Sequence, residues 1–523
     1  MKLKSLAVCS IVTLGFSSPL FAKASFEFTS SVPTDKKLHV VFINDVSNLQ
    51  GMSQDLDLKS SGQLSKLITL NKFTAEKGNT LHLQMVGTVE SLLLIGSQDK
   101  DGLSAPELQD LGGKIASSLD STKDMLDIAV HVVNLETTEA HPSAHIAYGY
   151  HLRHYSFDRY KTIKDEGESD VTLVINNADN VESVESVESA AKLYHSDLAY
   201  IAQGVHLTRD LATEPGKNMY PQAFVDVVKE KFKGIKNVDI DVLDMRDIKK
   251  LKMGALEGVG QGSIHDPRLL VIKYTGSKKA DAPIALVGKG ITFDTGGISL
   301  KKNTGMWAMK SDLAGAAAVA GTLYASAQRG ENINLIGFMP LAENMPSQDA
   351  IRPGDVLQTM KGVSIEIMST DAEGRLILAD AVYYAQQKYK PKMLLNIATL
   401  TGSAARALSD EYAVVITRDF DLSRKMMDIG ERSGENVWPL PLHPNHFEQI
   451  KSPIADIKNS GAGNPGASIG AAVVATFIDE DLPWVHLDIA GVDWLEADID
   501  VAPKGSQGWG VRFMDQLVRE HSK

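Results

Sequence analysis

The stretch Ile284–Lys301, IALVGKGITFDTGGISLK, has the pattern that decides the fold. It opens with the unbroken run IALVG, which is typical of a strand buried on both faces of a parallel sheet. Lys289 and Asp294 then precede the Gly296-Gly297 pair, which is typical of a turn. Sites in such sheets form at the carboxyl ends of the strands. The stretch therefore predicts an α/β domain whose functional site lies where the strands end.

Further runs repeat this pattern over the second part of the chain. The runs LLVIKY, INLIGFM, SIEIM, MLLNIA and WVHLDIAG have strand character, and GAAAVAGTLYASAQ and RLILADAVYYAQQ have helical character. Apolar strands that alternate with helices predict a central, largely parallel sheet flanked by helices. We expect SIEIM, residues 364–368, to be one of the strands that bring site residues together.

The first part of the chain predicts a second α/β domain. LHVVFI, TLHLQM, SLLLIG and DIAVHVV are strand candidates, and LQDLGGKIASSL between them has a helical pattern. A triplet repeat, VESVESVES, covers residues 181–189 and is too short for a solenoid, so we interpret it as helix or solvated linker. The boundary is placed beside it, giving an N-terminal domain over 25–185 and a catalytic domain over 186–523.

The first 24 residues have the pattern of a secretory signal peptide. Lys2 and Lys4 precede an apolar run that is shorter than the ~20 residues needed to span a bilayer, and Ala22-Lys23-Ala24 fits a cleavage site. The expectation is export, to a periplasm or out of the cell, with no membrane association after cleavage. The single cysteine, Cys9, lies in this segment, so the mature chain would have no thiol for catalysis, metal binding or a disulfide.

The charge balance argues against a nucleic-acid partner. The chain carries 53 Lys and Arg against 66 Asp and Glu, a net charge of −13. Binding to nucleic acid or an anionic membrane normally requires a basic excess. We therefore expect no nucleic-acid partner.

Acidic residues cluster where the predicted strands end. Asp294 follows one strand, Asp312 stands before a small-residue helix in MKSDLAGAAAV, and Asp371 and Glu373 lie in STDAEGRLILADA. Taken singly, such acids are ordinary helix starts and turns. Together, and without histidine, they are the oxygen ligands that divalent cations prefer, and several are needed if two metals share bridging carboxylates. Spacing alone leaves both interpretations open.

These stretches resemble the signature motifs of the leucyl aminopeptidase family, the two-metal cytosol aminopeptidases. The resemblance rests on GKGITFDTGGISLK, MKSDLAGAAAV, AENMPS, RPGDV, STDAEGRLILADA, ATLTGSA and KSPIADIKN, in that order from about Leu207 to the C-terminus. From Ser25 to about Ser189 there is only a weaker similarity to the family's variable N-terminal α/β domain. The resemblance implies an aminopeptidase that removes the first residue of peptides, with two divalent ions per chain, Zn²⁺ or Mn²⁺, and a homohexameric assembly.

The resemblance also implies a role for each matched residue. Asp294 and Glu373 would contact both metals, and Lys301 would polarise the scissile carbonyl. Arg375 would hold a bicarbonate that serves as general base. A lysine can bind metal only as the neutral amine, which arginine cannot become. The implied ligand set is Lys289, Asp294, Asp312, Asp371 and Glu373.

Three further positions bear on the substrate. Met309 and Thr399 match residues that line the family's pocket for the first side chain, which implies a preference for apolar residues such as leucine. Ser369 stands where most members of the family have asparagine, which points to an altered substrate preference without loss of a metal ligand.

Two alternatives remain. Gly466–Gly470, GASIG, matches the G-x-S-x-G elbow of serine hydrolases, with Ser468 as nucleophile. An elbow should follow a strand directly, whereas KNSGAGNP precedes this one, so a glycine-rich loop that opens the helix AAVVATFI is the favoured interpretation. The other alternative is a catalytically silent carrier or scaffold of the same fold, against which the complete set of matched ligands and catalytic residues argues.

Overall fold

A computed structural model of the chain describes residues 24–33, 35–119, 126–133, 135–163, 169–175, 186–279, 281–461 and 466–522. The N-terminal part is built on a six-stranded sheet and the C-terminal part on a nine-stranded sheet, and two small sheets complete the C-terminal part. Within these ranges, no helix is long and apolar enough to cross a membrane.

The N-terminal part is a mostly parallel α/β sheet. Its strands lie in the order β1-β6-β5-β2-β4-β3, and only the β3–β4 pair is antiparallel. Its elements are β1 (Ala24–Thr29), β2 (Leu38–Ile43), α1 (Gly51–Lys59), α2 (Gln63–Leu70), β3 (Thr80–Val86), β4 (Val89–Gly96), α3 (Ala105–Leu119), β5 (Leu126–Val132), α4 (Pro142–Arg153) and β6 (Ser169–Ile175).

The C-terminal part alternates strands and helices over most of its length. A π-helical turn at Tyr194–Leu198 and a 3₁₀ turn at Met306–Ser311 supplement its regular elements. These are α5 (Val187–Leu193), α6 (Ala199–Thr213), α7 (Pro221–Lys231), β7 (Val238–Leu243), α8 (Met245–Lys250), α9 (Gly254–Gly260), β8 (Arg268–Thr275), β9 (Ile284–Gly288), β10 (Gly290–Asp294), α10 (Ala314–Arg329), β11 (Asn334–Asn344), β12 (Val356–Gln358), β13 (Ser364–Glu366), α11 (Gly374–Tyr389), β14 (Met393–Ala398), α12 (Gly402–Leu408), β15 (Ala413–Ile416), α13 (Phe420–Ser433), β16 (Val437–Pro439), α14 (Pro444–Gln449), β17 (Ile457–Lys458), α15 (Ala467–Ala475), β18 (Trp484–Asp488), β19 (Trp494–Leu495), β20 (Gly505–Ser506) and α16 (Val511–His521).

The central sheet has a parallel core with antiparallel edges. Its order is β16-β15-β18-β14-β9-β11-β8-β7, with β10 also paired to β11. The strands β18, β14, β9 and β11 run parallel. Every residue of β9 and β14 is buried, because helices cover both faces. Helices α6, α10 and α16 pack on one face, and α9, α11 and α15 pack on the other. The prediction of a largely parallel sheet flanked by helices is confirmed.

One predicted strand does not belong to this sheet. The run SIEIM contributes β13, which pairs with β12 and β17 in a separate three-stranded sheet. Only its middle residue, Ile365, is buried, so β13 has one covered face rather than two. The expectation that SIEIM is a strand of the central sheet was therefore wrong, and the residues after it reach the site from a loop.

Two expectations about the chain's organisation lie largely outside the described residues. The predicted signal peptide covers residues 1–24, of which 1–23 lie outside the described residues and Ala24 begins β1. Of the VESVESVES repeat, residues 181–185 are not described and α5 begins at Val187. The boundary between 185 and 186 stays a prediction.

Candidate metal centre

Four carboxylates meet at the carboxyl edge of the central sheet. Asp294 ends β10, Asp312 lies between the 3₁₀ turn and α10, and Asp371 and Glu373 lie just before α11. Asp294, Asp371 and Glu373 each place an oxygen atom within 4.8 Å of the others. All four acids line one cleft of about 530 Å³. The short distances require a positive charge among them, because like charges in a buried site repel.

Lys289 supplies one such charge. It follows β9 directly, and its Nζ lies 2.8 Å from Asp312 Oδ1 and 2.9 Å from Glu373 Oε1. The same Nζ donates to the carbonyl oxygen of Thr399 at 2.8 Å. Burial lowers the pKa of Lys289, but Asp312, Glu373 and Asp294 outweigh burial and raise that pKa above its ordinary value. The ammonium thus occupies a position among carboxylates that suits a cation.

Lys301 supplies the second charge. Its Nζ lies 2.7 Å from Asp294 Oδ2 and 2.6 Å from Asp371 Oδ1. Burial lowers the pKa of Lys301, but the surrounding carboxylates, Asp294 first, raise it well above the ordinary value. Lys301 therefore links the end of β10 to the loop before α11.

The carboxylates retain capacity for a further ligand. Burial and the neighbouring Glu373 raise the pKa of Asp294 to about 6 despite the two lysines. Burial also raises the pKa of Glu373, but Lys289 and Lys301 outweigh it, so that the pKa falls below its ordinary value. Within the described residues, the buried oxygens Asp312 Oδ2 and Glu373 Oε2 have no hydrogen-bond partner. Unpartnered buried carboxylate oxygens are costly, and this oxygen-rich donor set fits divalent cations.

Asn344 orients one of these acids, although it was not among the predicted site residues. It ends β11, and its Nδ2 donates to Asp294 Oδ1 at 2.7 Å and to the carbonyl oxygen of Thr370 at 3.1 Å. The backbone N–H of Gly296 also donates to Asp294 Oδ1, at 2.8 Å. Asp294 Oδ1 is therefore fixed, and Oδ2 faces Lys301. Asn344 lies in the quoted motif AENMPS, so its place at a strand end was the available signal.

Asn459 holds the loop that carries Ser369 and Asp371. Its Oδ1 accepts the N–H of Met368 at 2.8 Å, and its Nδ2 donates to the carbonyl oxygen of Ser369 at 2.7 Å. The Ser369 hydroxyl accepts the N–H of Asp371 at 3.2 Å. Asn459 ends the motif KSPIADIKN, whose contact with this loop joins residues 90 positions apart.

Arg375 lies in the first turn of α11, beside the acids. Its Nη1 donates to the carbonyl oxygen of Asn459 at 2.8 Å, and its Nε is buried without a hydrogen-bond partner among the described residues. Burial lowers the pKa of Arg375, although nearby Glu373 and Asp488 oppose this effect. The Arg375 guanidinium therefore keeps unused donor capacity at a helix N-terminus, a position that favours anions.

Every predicted site residue lines the same cleft. Thr399 also contacts the acids, because its Oγ1 donates to Asp312 Oδ1 at 2.6 Å. Met309 lies on the 3₁₀ turn and lines the wall next to Ala308. The residues brought together are Lys289, Asp294, Lys301, Met309, Asp312, Ser369, Asp371, Glu373, Arg375 and Thr399.

Ser468 does not have the setting of a nucleophile elbow. It lies in the first turn of α15, and the preceding strand, β17, ends at Lys458. Ser468 is not among the described residues that line the acidic cleft. Among the described residues, no strand leads directly into the turn at Ser468, as the geometry that exposes a serine nucleophile requires.

Comparison with known proteins identifies the family. The family model described as "Cytosol aminopeptidase family, catalytic domain" matches residues 206–514, and the family's N-terminal domain model matches residues 40–164. The chain belongs to the cytosol aminopeptidase family. It is 39% identical over 506 residues to a probable cytosol aminopeptidase of Rickettsia bellii (strain OSU 85-389), covering 94% of this chain and 98% of the relative. A probable cytosol aminopeptidase of Nitrobacter winogradskyi is 39% identical over 464 residues, covering 88% and 91%.

Solved structures agree with this assignment. A mutant of tomato leucine aminopeptidase superimposes with a TM-score of 0.83 at 28% identity, covering 96% of this chain and 98% of the other. The bottromycin maturation enzyme BotP in complex with Mn gives a TM-score of 0.79 at 25% identity, covering 96% and 100%. The chain is therefore a metal-dependent hydrolase of a dinuclear family, and it removes N-terminal residues from peptides. The predictions of family, fold class and enzyme class are confirmed.

The expectation of export was wrong. Relatives that cover most of the chain are named cytosol aminopeptidases, which contradicts a periplasmic or secreted location. The expectation rested on residues 1–24 alone, where a lysine-flanked apolar run is too short and too general a pattern to fix a compartment.

Proposed function

We propose that this family member is an aminopeptidase in which Lys289, Asp294, Asp312, Asp371 and Glu373 hold two divalent metals. The observation that carries this proposal is the pair of buried, unpartnered oxygens, Asp312 Oδ2 and Glu373 Oε2, beside the Lys289 ammonium. When bound, two ions such as Zn²⁺ or Mn²⁺ supply Lewis-acid activation of water and of the peptide carbonyl. To serve as a ligand, Lys289 would have to lose its proton, because only the neutral amine can bind a metal.

Lys301 is proposed to stabilise the charge that develops on the carbonyl oxygen. Its ammonium is held by Asp294 and Asp371 at the cleft wall and keeps its proton strongly. A cation that is already fixed in place, in a cleft that excludes bulk water, stabilises a developing oxyanion more than water does. Lys301 therefore acts as an electrostatic group rather than as a ligand.

Arg375 is proposed to bind bicarbonate, which accepts the proton of the attacking water. Its buried Nε without a hydrogen-bond partner among the described residues and its place at the start of α11 support an anion there. The nearby carboxylates would be engaged as metal ligands and so would not be free to serve as the base.

The wall formed by Ala308 and Met309 is proposed to receive the first side chain of the substrate. Methionine adapts to aliphatic groups, which supports acceptance of leucine. Ser369 has a shorter side chain than asparagine, and its hydroxyl oxygen accepts the backbone N–H of Asp371. The shorter side chain is proposed to leave more room next to the scissile bond.

The enzyme is further proposed to act as a homohexamer with no nucleic-acid partner. Large apolar side chains on the C-terminal part are exposed, including Phe420 at 69% and Ile454 at 65%, which supports burial by other subunits. Sedimentation velocity of the metal-loaded protein tests the assembly: a single monomeric species would contradict it.

The decisive experiment compares leucine amide with N-acetyl-leucine amide. Blocking the free amine removes the group by which an aminopeptidase recognises the chain end, so only leucine amide should be hydrolysed. A chelator should stop this reaction. Glu373→Ala should reduce the rate by about 10³-fold or more, since the loss of a metal ligand costs several kcal/mol of transition-state stabilisation. Ser468→Ala should keep nearly the full rate, and an inactive Ser468→Ala protein with both metals bound would overturn the proposal.

A further inference from the structure

Asp493 is one further carboxylate on the cleft wall, and the proposed chemistry does not use it. Asp294, Asp312, Asp371 and Glu373 each contact Lys289 or Lys301. Within the described part of the chain, no lysine or arginine side chain forms an ion pair with Asp493. Its Oδ2 accepts a hydrogen bond from the Ser311 hydroxyl at 3.2 Å.

The position of Asp493 is on the side-chain wall of the cleft. Ser311, its partner, ends the 3₁₀ turn that also carries Met309, and Asp312 follows directly. Backbone hydrogen bonds fix Asp493: its N–H donates to the carbonyl oxygen of Ile489 at 3.0 Å, and its carbonyl oxygen accepts the N–H of Gln507 at 2.8 Å. The carboxylate is thus held on the wall where the first side chain of the substrate is proposed to lie.

Asp493 is buried without a direct ion-pair partner among the described residues. Asp493 is only 6% exposed, and burial raises its pKa to about 7. A buried carboxylate is costly unless a cation accompanies it. Lys289 lowers the pKa of Asp493 without forming an ion pair with Asp493, because its ammonium is held by Asp312 and Glu373. A ligand that places its own cation against Asp493 therefore gains an ion pair in a largely buried site.

From this arrangement we infer that the enzyme favours peptides whose first residue is lysine or arginine, and that Asp493 is the residue that selects them. The inference rests on the proposed function. Ala308 and Met309 contact the methylene groups of the side chain, as they would contact leucine, and Asp493 pairs with the cationic end. An aliphatic side chain fits the same wall but leaves Asp493 without a cation.

The test compares lysine amide with norleucine amide, which has the same unbranched carbon chain without the ammonium group. Metal-loaded wild-type enzyme should give a kcat/KM at least about tenfold higher for lysine amide, as expected for a charge-assisted hydrogen bond. Asp493→Asn keeps the side-chain volume and can still accept the Ser311 hydroxyl, and it should bring the ratio of the two kcat/KM values to about one.

Glu496→Gln provides the matched control. Glu496 is exposed three residues after Asp493 and lines a neighbouring cavity of about 660 Å³ rather than the acidic cleft. Its replacement removes the same charge from the region and should leave the lysine-to-norleucine ratio at the wild-type value. An equal fall in both variants would indicate a long-range effect of charge and overturn the assignment to Asp493.

The remaining outcomes separate this inference from the proposed function. Hydrolysis of leucine amide with a wild-type lysine-to-norleucine ratio near one overturns the inference alone. Failure to hydrolyse leucine, lysine and norleucine amides with both metals bound overturns the proposed function and the inference with it. If circular dichroism shows that Asp493→Asn does not fold, the wild-type ratio still tests the preference for a cationic side chain, and Asp493→Ser, a smaller uncharged replacement, tests the assignment to Asp493.

Discussion

Lys289 is the residue at which the proposed chemistry and the packing are most demanding. Its side chain is 3% exposed, and a Cβ added at Gly374 would lie 2.6 Å from its Cε, so the site has no room for a bulkier group. Lys289→Arg keeps the charge but cannot form a neutral amine. We expect metal content to fall from two ions per chain toward one, with a rate loss of about 10²-fold or more. Elemental analysis of the purified protein measures this.

The control for Lys289→Arg is Lys302→Arg. Lys302 is exposed and does not line the cleft, so the same chemical change there should leave two metals and the wild-type rate. Two metals with full activity in Lys289→Arg would show that Lys289 is not a ligand.

Replacing Arg375 should lower the turnover number without lowering the metal content. Because Arg375 contacts the carbonyl oxygen of Asn459 and no predicted ligand directly, Arg375→Ala should keep both metals. Its turnover number should fall by about 10²-fold, within the range of a lost general base. Added bicarbonate should accelerate the wild-type enzyme at low bicarbonate but not the variant, as measured by steady-state kinetics. The same acceleration in both proteins would exclude Arg375 as the bicarbonate site.

At the residue scale, the motifs contain the acids and lysines that the structure brings into one cleft, but they did not indicate the residues that position those acids through distant contacts. Acids at strand ends pointed to a metal site, and the structure brings them together. Asn344 and Asn459 lie in quoted motifs, but their hydrogen bonds to Asp294 and Ser369 depend on tertiary packing. Asp493 meets Ser311 across 182 positions, and no local pattern marks such a pair.

At the scale of elements, the contact between β9 and α10 positions Lys289 against Asp312. A Cβ at Gly288 would lie 2.2 Å from the carbonyl oxygen of Gly315, so glycine is required for the helix to approach the strand. Gly288→Ala should destabilise the protein by about 1–3 kcal/mol, the usual cost of overpacking. It should also weaken metal binding, because α10 must move away from β9. Denaturant unfolding and metal titration measure the two effects.

Gly466→Ala is the matched control for the strand–helix contact. A Cβ at Gly466 would meet no atom of the described residues within 4 Å, and the φ of −105° at Gly466 suits any residue. Its unfolding free energy should therefore change little. Equal stability of Gly288→Ala and Gly466→Ala would show that the β9–α10 approach is not close in solution.

Element boundaries were predictable where burial is uniform. IALVG and MLLNIA coincide with β9 and β14, because strands covered on both faces have an unbroken apolar pattern. The predicted strand INLIGFM is shorter than the observed one. Strand β11 continues through Pro340 to the polar residues Glu343 and Asn344, because it pairs with β8 and β10 there. The run SIEIM was predicted correctly as a strand but assigned to the wrong sheet, because its composition suits a strand and does not specify which sheet the strand joins.

At the scale of the whole molecule, the N-terminal and C-terminal parts share one apolar core. A single cluster of buried residues includes Val40 and Val130 of the first sheet together with Leu286 and Leu487 of the second. Arg209 of α6 joins the parts by hydrogen bonds: its guanidinium donates to the carbonyl oxygens of Leu152, Val501 and Gln507. A predicted boundary beside residue 186 thus separates two sheets but not two independent cores.

Because the core is shared, we expect both parts to unfold together and Arg209 to stabilise the contact between them. Arg209 is 2% exposed, and burial lowers its pKa to about 10, so its charge is desolvated. Arg209→Met removes the donors of three buried carbonyls at about 1–3 kcal/mol each, but it also relieves the desolvation of the cation. We expect the free energy of unfolding to fall by about 2–4 kcal/mol, seen in calorimetry as one transition at a lower temperature.

The control is Arg352→Met, which removes an exposed ion pair with Asp355 and should cost about 0.5 kcal/mol or less. Two separate transitions in the wild-type protein would contradict a continuous core, because parts that share their buried side chains cannot unfold one after the other.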